Sequence, residues 1–194
     1  MSALRPTEVG CPPVWLALDE ANALHGAAPS RRQRAWAVLD SVLDPEVPAL
    51  SVRDLGIVRD VVELDRGLEI VLTPTYSGCP ATEVIEHDVC TAIDAAGLGP
   101  AHVRLQRAPA WTTDWISDAG RRKLRDYGIA PPGPVQADAG VPIRIVRRAA
   151  PARLACPRCG SLNTERLAAF GSTACKALHR CLACGEPFEH FKTI

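Results

Sequence analysis

Cysteines are the residues of this sequence whose number and spacing are best suited to chemistry. The 194-residue chain has eight, and five of them lie in its last 39 residues. Four of the five form two Cys-x-x-Cys-Gly sequences, at residues 156–160 and 181–185. This pattern predicts one tetrahedral zinc site built from four thiolates, those of Cys156, Cys159, Cys181 and Cys184. Because no position is left for water, we expect the zinc to be structural.

Cys175 is the remaining cysteine of this C-terminal region, in the segment Phe-Gly-Ser-Thr-Ala-Cys-Lys-Ala at residues 170–177. One interpretation makes it a small core residue of the metal module. The other makes it an additional thiol that contacts a metal or a partner, with the neighbouring Lys176 favouring the thiolate. The sequence leaves both interpretations open.

Cys79 is the second candidate for chemistry, in the segment Thr-Pro-Thr-Tyr-Ser-Gly-Cys-Pro at residues 73–80. An alternating apolar run before the segment predicts a strand, and apolar residues at helical spacing after it predict an amphipathic helix. Pro80 suits the first helical position, which places Cys79 at or next to the N-cap. Free backbone N–H groups and the helix dipole there favour a thiolate, as a nucleophile or a metal ligand requires. The alternative is a structural cysteine in a helix-initiating turn.

The elements that position these cysteines follow from periodicity and turn residues. The patterns predict helices over residues 30–43 and 81–96 and strands over residues 57–64, 68–73 and 101–107, with a tight hairpin at Asp65-Arg66-Gly67. Further segments are a lead-in helix at 12–24, a short helix at 117–127 and an edge strand at 141–148. This order predicts an α+β fold, with helices against a mixed β-sheet, followed by a zinc ribbon.

The predicted organisation has four parts. They are an N-terminal lead-in segment (1–29), an α+β domain (30–128), a linker or arm rich in Pro, Gly and Ala (129–152) and a C-terminal zinc ribbon (153–194). Net charge is zero, which does not suggest a nucleic-acid or membrane partner. With no signal pattern and no long apolar run, we expect a cytoplasmic protein, in which cysteines serve metal or redox chemistry and not disulfides.

Three segments resemble the MIP18 (formerly DUF59) family of iron–sulfur assembly proteins. They are Asp-Pro-Glu-Val-Pro at residues 44–48, Asp-Leu-Gly at 54–56 and the Cys79 segment. Residues 109–115, residues 127–132 and the Cys175 segment are more specifically similar to the family of D subunits of the phenylacetyl-CoA epoxidase system. With these segments the resemblance extends over nearly the whole chain after residue 11.

The resemblance implies a non-catalytic accessory role in phenylacetate degradation. The protein would mature a multicomponent oxygenase, by delivering an iron–sulfur cluster to its reductase subunit or by assisting its diiron oxygenase subunit. Cys79 would be the functional cysteine that transiently holds iron or a cluster, with Asp44, Glu46 and Asp54 nearby. The three acidic residues have a plainer interpretation as turn-shaping residues. Because one thiolate cannot fill a cluster's four usual cysteine positions, a client subunit or a second copy in a homodimer would supply the others.

Two other hypotheses stay open. In the first, the protein is a scaffold for the oxygenase subunits and Cys79 is structural. Trp111, Trp115 and the arm at residues 130–140 then make contacts with partners, unless the two tryptophans form a small core of their own. In the second, Cys79 performs thiol chemistry as an enzyme. This hypothesis has less support, because the domain has no second cysteine in a Cys-x-x-Cys arrangement and His87 is the nearest histidine in sequence.

Overall fold

The computed structural model describes residues 28–76, 78–135 and 154–194. The predicted lead-in helix at 12–24 and the predicted edge strand at 141–148 lie outside the described residues. The chain divides into two compact units, Met1–Ser30 and Arg31–Ile194, and the described helices and strands belong to the second. Within the described ranges, no helix is long and apolar enough to cross a membrane.

The first part of this unit is an α+β module with a mixed three-stranded sheet, as predicted. Its elements are α1 (Arg31–Leu39), β1 (Val58–Leu64), β2 (Gly67–Leu72), α2 (Thr82–Ala95) and β3 (Ala101–Leu105). β1 and β2 form an antiparallel hairpin, and β3 lies parallel to β2. Helix α1 packs on β1 and α2, and α2 packs on β3. Gly97, with φ of 68°, follows α2 as the predicted left-handed C-terminal residue.

Helix α1 ends at Leu39, earlier than the predicted end at residue 43. The following residues pair with a later part of the same loop, since Asp44 N donates to Leu50 O and Val52 N donates to Val42 O, each at 2.9 Å. The Asp44 carboxylate oxygen Oδ1 accepts hydrogen bonds from the backbone of residues 46 and 47, at 2.9 and 2.7 Å. These bonds replace helical ones, so the loop and not the prolines alone ends the helix.

The second part is a ribbon sheet. A 3₁₀ turn (Thr113–Trp115) and α3 (Asp118–Asp126) lead into β4 (Ile129–Ala130), and β5 (Thr164–Ala168), β6 (Lys176–Cys181) and β7 (Pro187–Phe191) follow. The strand order is β4-β7-β6-β5, with β4 parallel to β7 and the other pairs antiparallel. Ile129 and Ala130, which the sequence analysis assigns to the linker, are therefore part of the ribbon sheet. The remaining domain boundaries stay a prediction.

The ribbon and the α+β module share one hydrophobic core. Phe191 of β7 is 2% exposed, and its ring centroid lies 6.1 Å from that of Trp111. Trp111 is also buried and donates its Nε1–H to Leu55 O at 3.0 Å. Cys175 of the ribbon belongs to the same cluster. The idea that Trp111 contacts a partner is therefore wrong, because its ring joins the ribbon to the α+β core.

We expect Phe191→Ala to lower the free energy of unfolding of the whole described unit by about 3–5 kcal/mol, because the residual cavity opens inside this shared core. Urea unfolding followed by tryptophan fluorescence measures the loss, since the tryptophans Trp36, Trp111 and Trp115 lie outside the ribbon strands. The matched control is Phe170→Ala, at a position 66% exposed. The control should change stability by less than about 0.5 kcal/mol. Equal effects of the two substitutions would contradict a shared core.

Candidate functional site: a four-cysteine cluster and a thiol-lined cavity

The four ribbon cysteines meet at one point. The sulfur atoms of Cys156, Cys159, Cys181 and Cys184 all lie within 4.8 Å of one another. Sγ of Cys156 is 3.9 Å from Sγ of Cys184, and Sγ of Cys159 is 3.6 Å from Sγ of Cys181. Four sulfurs placed tetrahedrally at about 2.3 Å from a zinc ion would be about 3.8 Å apart. The donor set and its spacing therefore fit a closed metal site of the zinc-ribbon type.

Two backbone turns position these sulfurs. Gly160 N donates to Cys156 O and Gly185 N donates to Cys181 O, each at 2.9 Å. Both glycines have positive φ, 74° and 79°, a conformation that side-chain-bearing residues seldom adopt. Backbone N–H groups of Cys184 and Ala183, together with the thiols of Cys184 and Cys159, lower the pKa of Cys181 to about 6. The pKa of Cys159 is instead raised to about 12, because its hydrogen bonds with the neighbouring thiols outweigh the lowering effect of the Ser161 backbone. The backbone N–H groups of the second turn therefore favour the anionic form of Cys181, which is the form that binds a cation.

Cys79 lies before α2 but not where the sequence places it. The N-cap of α2 is Ala81, and its side chain makes no capping bond. Cys79 O accepts from Thr82 N at 3.2 Å and Cys79 N donates to Tyr76 O at 3.3 Å, so an extra turn separates the cysteine from the helix. The prediction that Cys79 occupies or adjoins the N-cap is wrong by one position. Cys79 therefore lies outside the first turn of α2, to which the effect of the helix dipole is confined.

A small cavity opens beside Cys79. It encloses about 20 Å³, which is enough for about one water molecule. Its lining includes Cys79, Asp44 and Thr73, and the remaining walls are mostly apolar. Thr73 is 1% exposed, and its Oγ1 has no hydrogen-bond partner among the described residues. Because buried hydroxyl groups are normally paired, the cavity offers a polar atom that a ligand could satisfy.

The Tyr76 hydroxyl interacts electrostatically with thiols of both modules. Burial raises the pKa of Tyr76, and the neighbouring Cys79, Glu46 and Cys175 raise it further. Of these three side chains, that of Cys79 is also a hydrogen-bond neighbour of the Tyr76 hydroxyl. The sequence analysis did not select Tyr76. Its position three residues before Cys79, in the segment already chosen as a candidate site, could have identified it.

Lys176 holds the ribbon against the acidic turn. Its side chain is 3% exposed, and Nζ lies 3.1 Å from Glu189 Oε2 and 3.4 Å from the backbone oxygen of Glu46. Ser172 N donates to the Glu189 carboxylate, and a Cβ on Gly171 would come within 2.5 Å of it. Sequence reasoning missed Glu189, because nothing in its local pattern marks it as the partner of a buried lysine.

Cys175 is buried beside this ion pair, 5% exposed, with Sγ 3.0 Å from Thr173 Oγ1. Burial raises the pKa of Cys175 and Glu46 adds to the rise, whereas Thr173 and Lys176 lower it. The net shift is upward. Lys176 does lower the pKa of Cys175, as the sequence analysis expects, but burial raises this pKa by more.

The three acidic candidates separate into two places. Asp44 lines the Cys79 cavity, and burial raises its pKa against the opposing effect of the hydrogen bonds within its turn and of Lys176. Glu46 lies near Tyr76 and Cys175, and its pKa is raised by burial and then by Asp44. Asp54 is not among the residues that line the cavity.

Asp54 belongs to a separate hydrogen-bond network. Its Oδ2 accepts from Lys123 Nζ at 2.6 Å and from Ser51 N and Oγ, both at 3.1 Å, and Oδ1 accepts from Ser117 Oγ at 3.2 Å. Burial alone would raise the pKa of Asp54, but Lys123 and Ser51 outweigh it and lower the pKa. These bonds tie the loop before β1 to α3, so Asp54 has a structural role in this arrangement.

Comparisons with known proteins agree with this architecture. Residues 32–104 match the family model described as "Iron-sulfur cluster assembly protein", and residues 143–192 match the one described as "PaaD zinc beta ribbon domain". The fold and its cysteine sites thus define an iron–sulfur-assembly-type domain joined to a zinc β ribbon. The chain is 46% identical over 167 residues to the putative D subunit of the 1,2-phenylacetyl-CoA epoxidase of Escherichia coli K12, covering 86% of this chain and 96% of that relative. It belongs to the family of these epoxidase D subunits, which confirms the resemblance seen in the sequence.

Two further comparisons cover the α+β module alone. An "Fe-S protein maturation auxiliary factor" of Porphyromonas gingivalis is 32% identical over 89 residues, covering 45% of this chain and 84% of the relative. The crystal structure of a DUF59 domain from Bacillus anthracis aligns at 26% identity and a TM-score of 0.45, covering 48% of this chain and 91% of that one.

Loss of the ribbon metal should unfold the ribbon. We expect Cys181→Ser to abolish metal retention, with a loss of binding free energy on the order of 10 kcal/mol at neutral pH, because so small a sheet buries too little surface to fold without the ion. Zinc per chain and resistance to limited proteolysis measure the effect. Cys90→Ser, in α2, is the matched control. A variant without metal that resisted protease like the wild type would contradict a structural ion.

Asp54→Asn should destabilise the protein by about 1–3 kcal/mol, because the Lys123 and Ser51 bonds to a charged carboxylate are weakened in a mostly buried place. Urea unfolding measures the change, and zinc per chain should stay at the wild-type value. The control is Asp126→Asn, at an exposed position in α3. Unchanged stability in Asp54→Asn would show that the network is not structural.

Proposed function

We propose that this chain is a non-catalytic maturation factor of a phenylacetyl-CoA epoxidase. It holds iron or an iron–sulfur cluster transiently at Cys79 and passes this cargo to the reductase or the oxygenase subunit of the complex. The observation that carries the proposal is the cavity whose lining includes Cys79, Asp44 and Thr73, with a Thr73 hydroxyl that lacks a partner among the described residues.

The chemistry of the cavity suits transfer better than storage. Cys79 offers one thiolate, a ligand that iron and iron–sulfur clusters accept. Asp44 Oδ1 is engaged with the backbone of its own turn, which fixes the carboxylate beside the thiol. A centre bound by so few protein ligands keeps positions for the ligands of a donor or a client. It can therefore be exchanged, whereas a fully ligated centre would stay.

The partners follow from the family. The E. coli relative is named as a subunit of an epoxidase, and the P. gingivalis relative as a maturation factor for Fe-S proteins. We infer that the clients are the reductase and oxygenase subunits of the epoxidase. The client, or a second copy of this chain in a homodimer, supplies the cluster ligands that Cys79 lacks.

The ribbon ion has a different role, and we propose that it is zinc. Its four thiolates fill a tetrahedral shell, so the ion has no open position for a substrate or a water molecule. Its effect is to fold the ribbon, which brings Phe191, Cys175 and Lys176 to the α+β module. We therefore infer a structural role for it.

The competing hypothesis is a scaffold without cargo. It has lost one of its expected contact residues, since Trp111 is buried inside the molecule. The following experiment separates the two functions.

Wild type, Cys79→Ser and Cys90→Ser are purified without oxygen, and zinc, iron and sulfide per chain are measured with the visible spectrum. We expect zinc near one per chain in all three, and iron or sulfide lost only in Cys79→Ser. In reconstituted epoxidase, Cys79→Ser should mature the complex no better than a reaction without the protein. Cys90→Ser, which keeps the same number of cysteines as Cys79→Ser, should behave as the wild type.

The opposite result is equally clear. If Cys79→Ser forms the complex and supports epoxidase activity at the wild-type level, the carrier function is wrong and the scaffold is correct. If neither iron nor sulfide enters the wild type on reconstitution, the cargo assignment also fails.

A further inference from the structure

The outer edge of β3 is open for hydrogen bonding. Among the described residues, β3 pairs only with β2 and forms one end of the three-stranded sheet. Leu68 N donates to Pro100 O at 2.9 Å before β3, and Gln106 N donates to Leu72 O at 2.7 Å after it. Because the bonds of a parallel pair are evenly spaced, the even-numbered residues of β3 bond to β2. The odd-numbered residues therefore direct their N–H and C=O groups away from the sheet, and these are Ala101, Val103 and Leu105.

The other sheet edges of the described structure are protected against pairing with another chain. β1 has a bulge near its start, and its Asp60 and Glu63 bind Arg32 of α1. β5 has a bulge between Arg166 and Ala168, and β4 is two residues long. Bulges, short strands and covering elements are the usual protection of an edge. β3 pairs with β2 through five residues in regular register, without a bulge, so its edge is the best suited to a further strand.

The side chains of β3 define the chemistry of a matching strand. Val103 and Leu105 lie on the core side of the sheet, and Leu105 is 36% exposed. His102 and Arg104 lie on the opposite face, with side chains 56% and 48% exposed. Arg104 binds Glu69 through Nε at 2.9 Å, and its terminal nitrogens bind no described residue. A matching strand therefore carries apolar side chains on the core side and carboxylates on the other, because a guanidinium binds carboxylates well.

A second copy of this chain matches the edge less well. Two β3 strands paired antiparallel about Val103 would place Arg104 of one copy opposite His102 of the other. Such a pair brings no carboxylate to Arg104, and a protonated His102 would repel it, since like charges directly opposite each other destabilise a strand pair. The charges of β3 therefore favour a different chain with acidic residues at these positions.

The open edge leads to the candidate functional site. Leu105, the last residue of β3, lines the same cavity as Cys79. Leu72, which accepts the hydrogen bond of Gln106 N, is also part of the lining. A strand that pairs with Leu105 therefore lies beside the cavity, and the chain that carries this strand is brought next to Cys79.

We propose that β3 binds an extended segment of the client subunit, with alternating apolar and acidic residues, as a fourth strand of the sheet. This inference rests on the proposed function and states how its client docks. The backbone groups of Ala101, Val103 and Leu105 supply the hydrogen bonds of the added strand, which give affinity. The contacts of Arg104 and Leu105 with alternate side chains of the segment give specificity. Docking at β3 thus selects the client and delivers it to the Cys79 cavity in one step.

Hydrogen exchange of single backbone amides, followed by NMR, tests the added strand without any substitution. The full-length protein is measured alone and with the epoxidase reductase or oxygenase subunit. In the protein alone, the amides of His102 and Arg104 should exchange slowly, because they bond to β2, and those of Val103 and Leu105 should exchange fast. In the complex with the client, exchange at Val103 and Leu105 should slow by about tenfold or more, because these amides then bond to the added strand.

Two pairs of variants measure the contribution of the edge to affinity. Val103→Pro removes an outward N–H but no bond to β2, which an edge strand tolerates, and the dissociation constant for the client should rise about tenfold or more. Its control, Val103→Thr, keeps the N–H and the branched shape and should bind as the wild type. Arg104→Gln should weaken binding about two- to fivefold, because it removes one charge pair. Its control, Arg125→Gln in α3, lies at an exposed position and should have no effect.

The outcomes separate this inference from the proposed function. If the client binds while exchange at Val103 and Leu105 stays fast, or binds Val103→Pro as tightly as wild type, the docking edge is wrong and the proposed function stands. Slow exchange at these amides in the protein alone, growing with its concentration, overturns the client in favour of a second copy. Cys79→Ser should bind the client as the wild type does. If the wild type binds neither subunit, the client assignment of the proposed function fails together with this inference.

Discussion

The arrangement of the two modules depends on the contacts of the buried Lys176 ammonium with both of them. Lys176 is 3% exposed and meets the Glu189 carboxylate within the ribbon and the Glu46 carbonyl in the α+β module. Taking a charge out of water is costly, and a buried ion pair seldom repays that cost as net stability. The ion pair instead fixes the position of the ribbon on the α+β module, because few other positions would give the Lys176 ammonium its hydrogen-bond and ion-pair partners. Phe191 adds the apolar contact that makes the docking favourable.

This docking connects the zinc-type site to the cavity around Cys79. The four-cysteine cluster orders β6 and β7, and these strands carry Lys176 and Phe191 into contact with the α+β core. Lys176 fixes the turn that begins at Asp44, and Asp44 is a wall of the cavity. The four-cysteine cluster is therefore connected to the candidate site through a chain of contacts, although none of its four cysteines lines the cavity.

What the sequence predicts well in this protein is what local chemistry determines. The strand alternation, the hairpin at Gly67, the end of α2 at Gly97 and the two cysteine turns each depend on residues a few positions apart, and the structure has all of them. The end of α1 was predicted too late, because its competitor is a set of hydrogen bonds to residues 50–52. Turn-shaping by Asp44 was considered from the sequence alone, since its partners are two and three residues away.

The parts that the sequence did not predict depend on distant partners: Lys176 and Glu46 are 130 residues apart, and Asp54 and Lys123 are 69 residues apart. No local sequence pattern indicates such a pair. Asp54 was therefore assigned to the iron or cluster site, and Glu189 was not selected as a candidate residue.

The two cysteine sites differ in the number of protein ligands that each brings together. The ribbon site brings together four cysteine sulfurs, a complete tetrahedral set of ligands, so an ion bound there would exchange slowly and serve folding. The Cys79 site has few protein ligands, an apolar wall and a buried hydroxyl that no described residue satisfies. Incomplete ligation is a defect in a storage site, because the centre is easily lost to competing thiols. In a carrier it is a requirement, since the cargo must leave when a client offers better ligands.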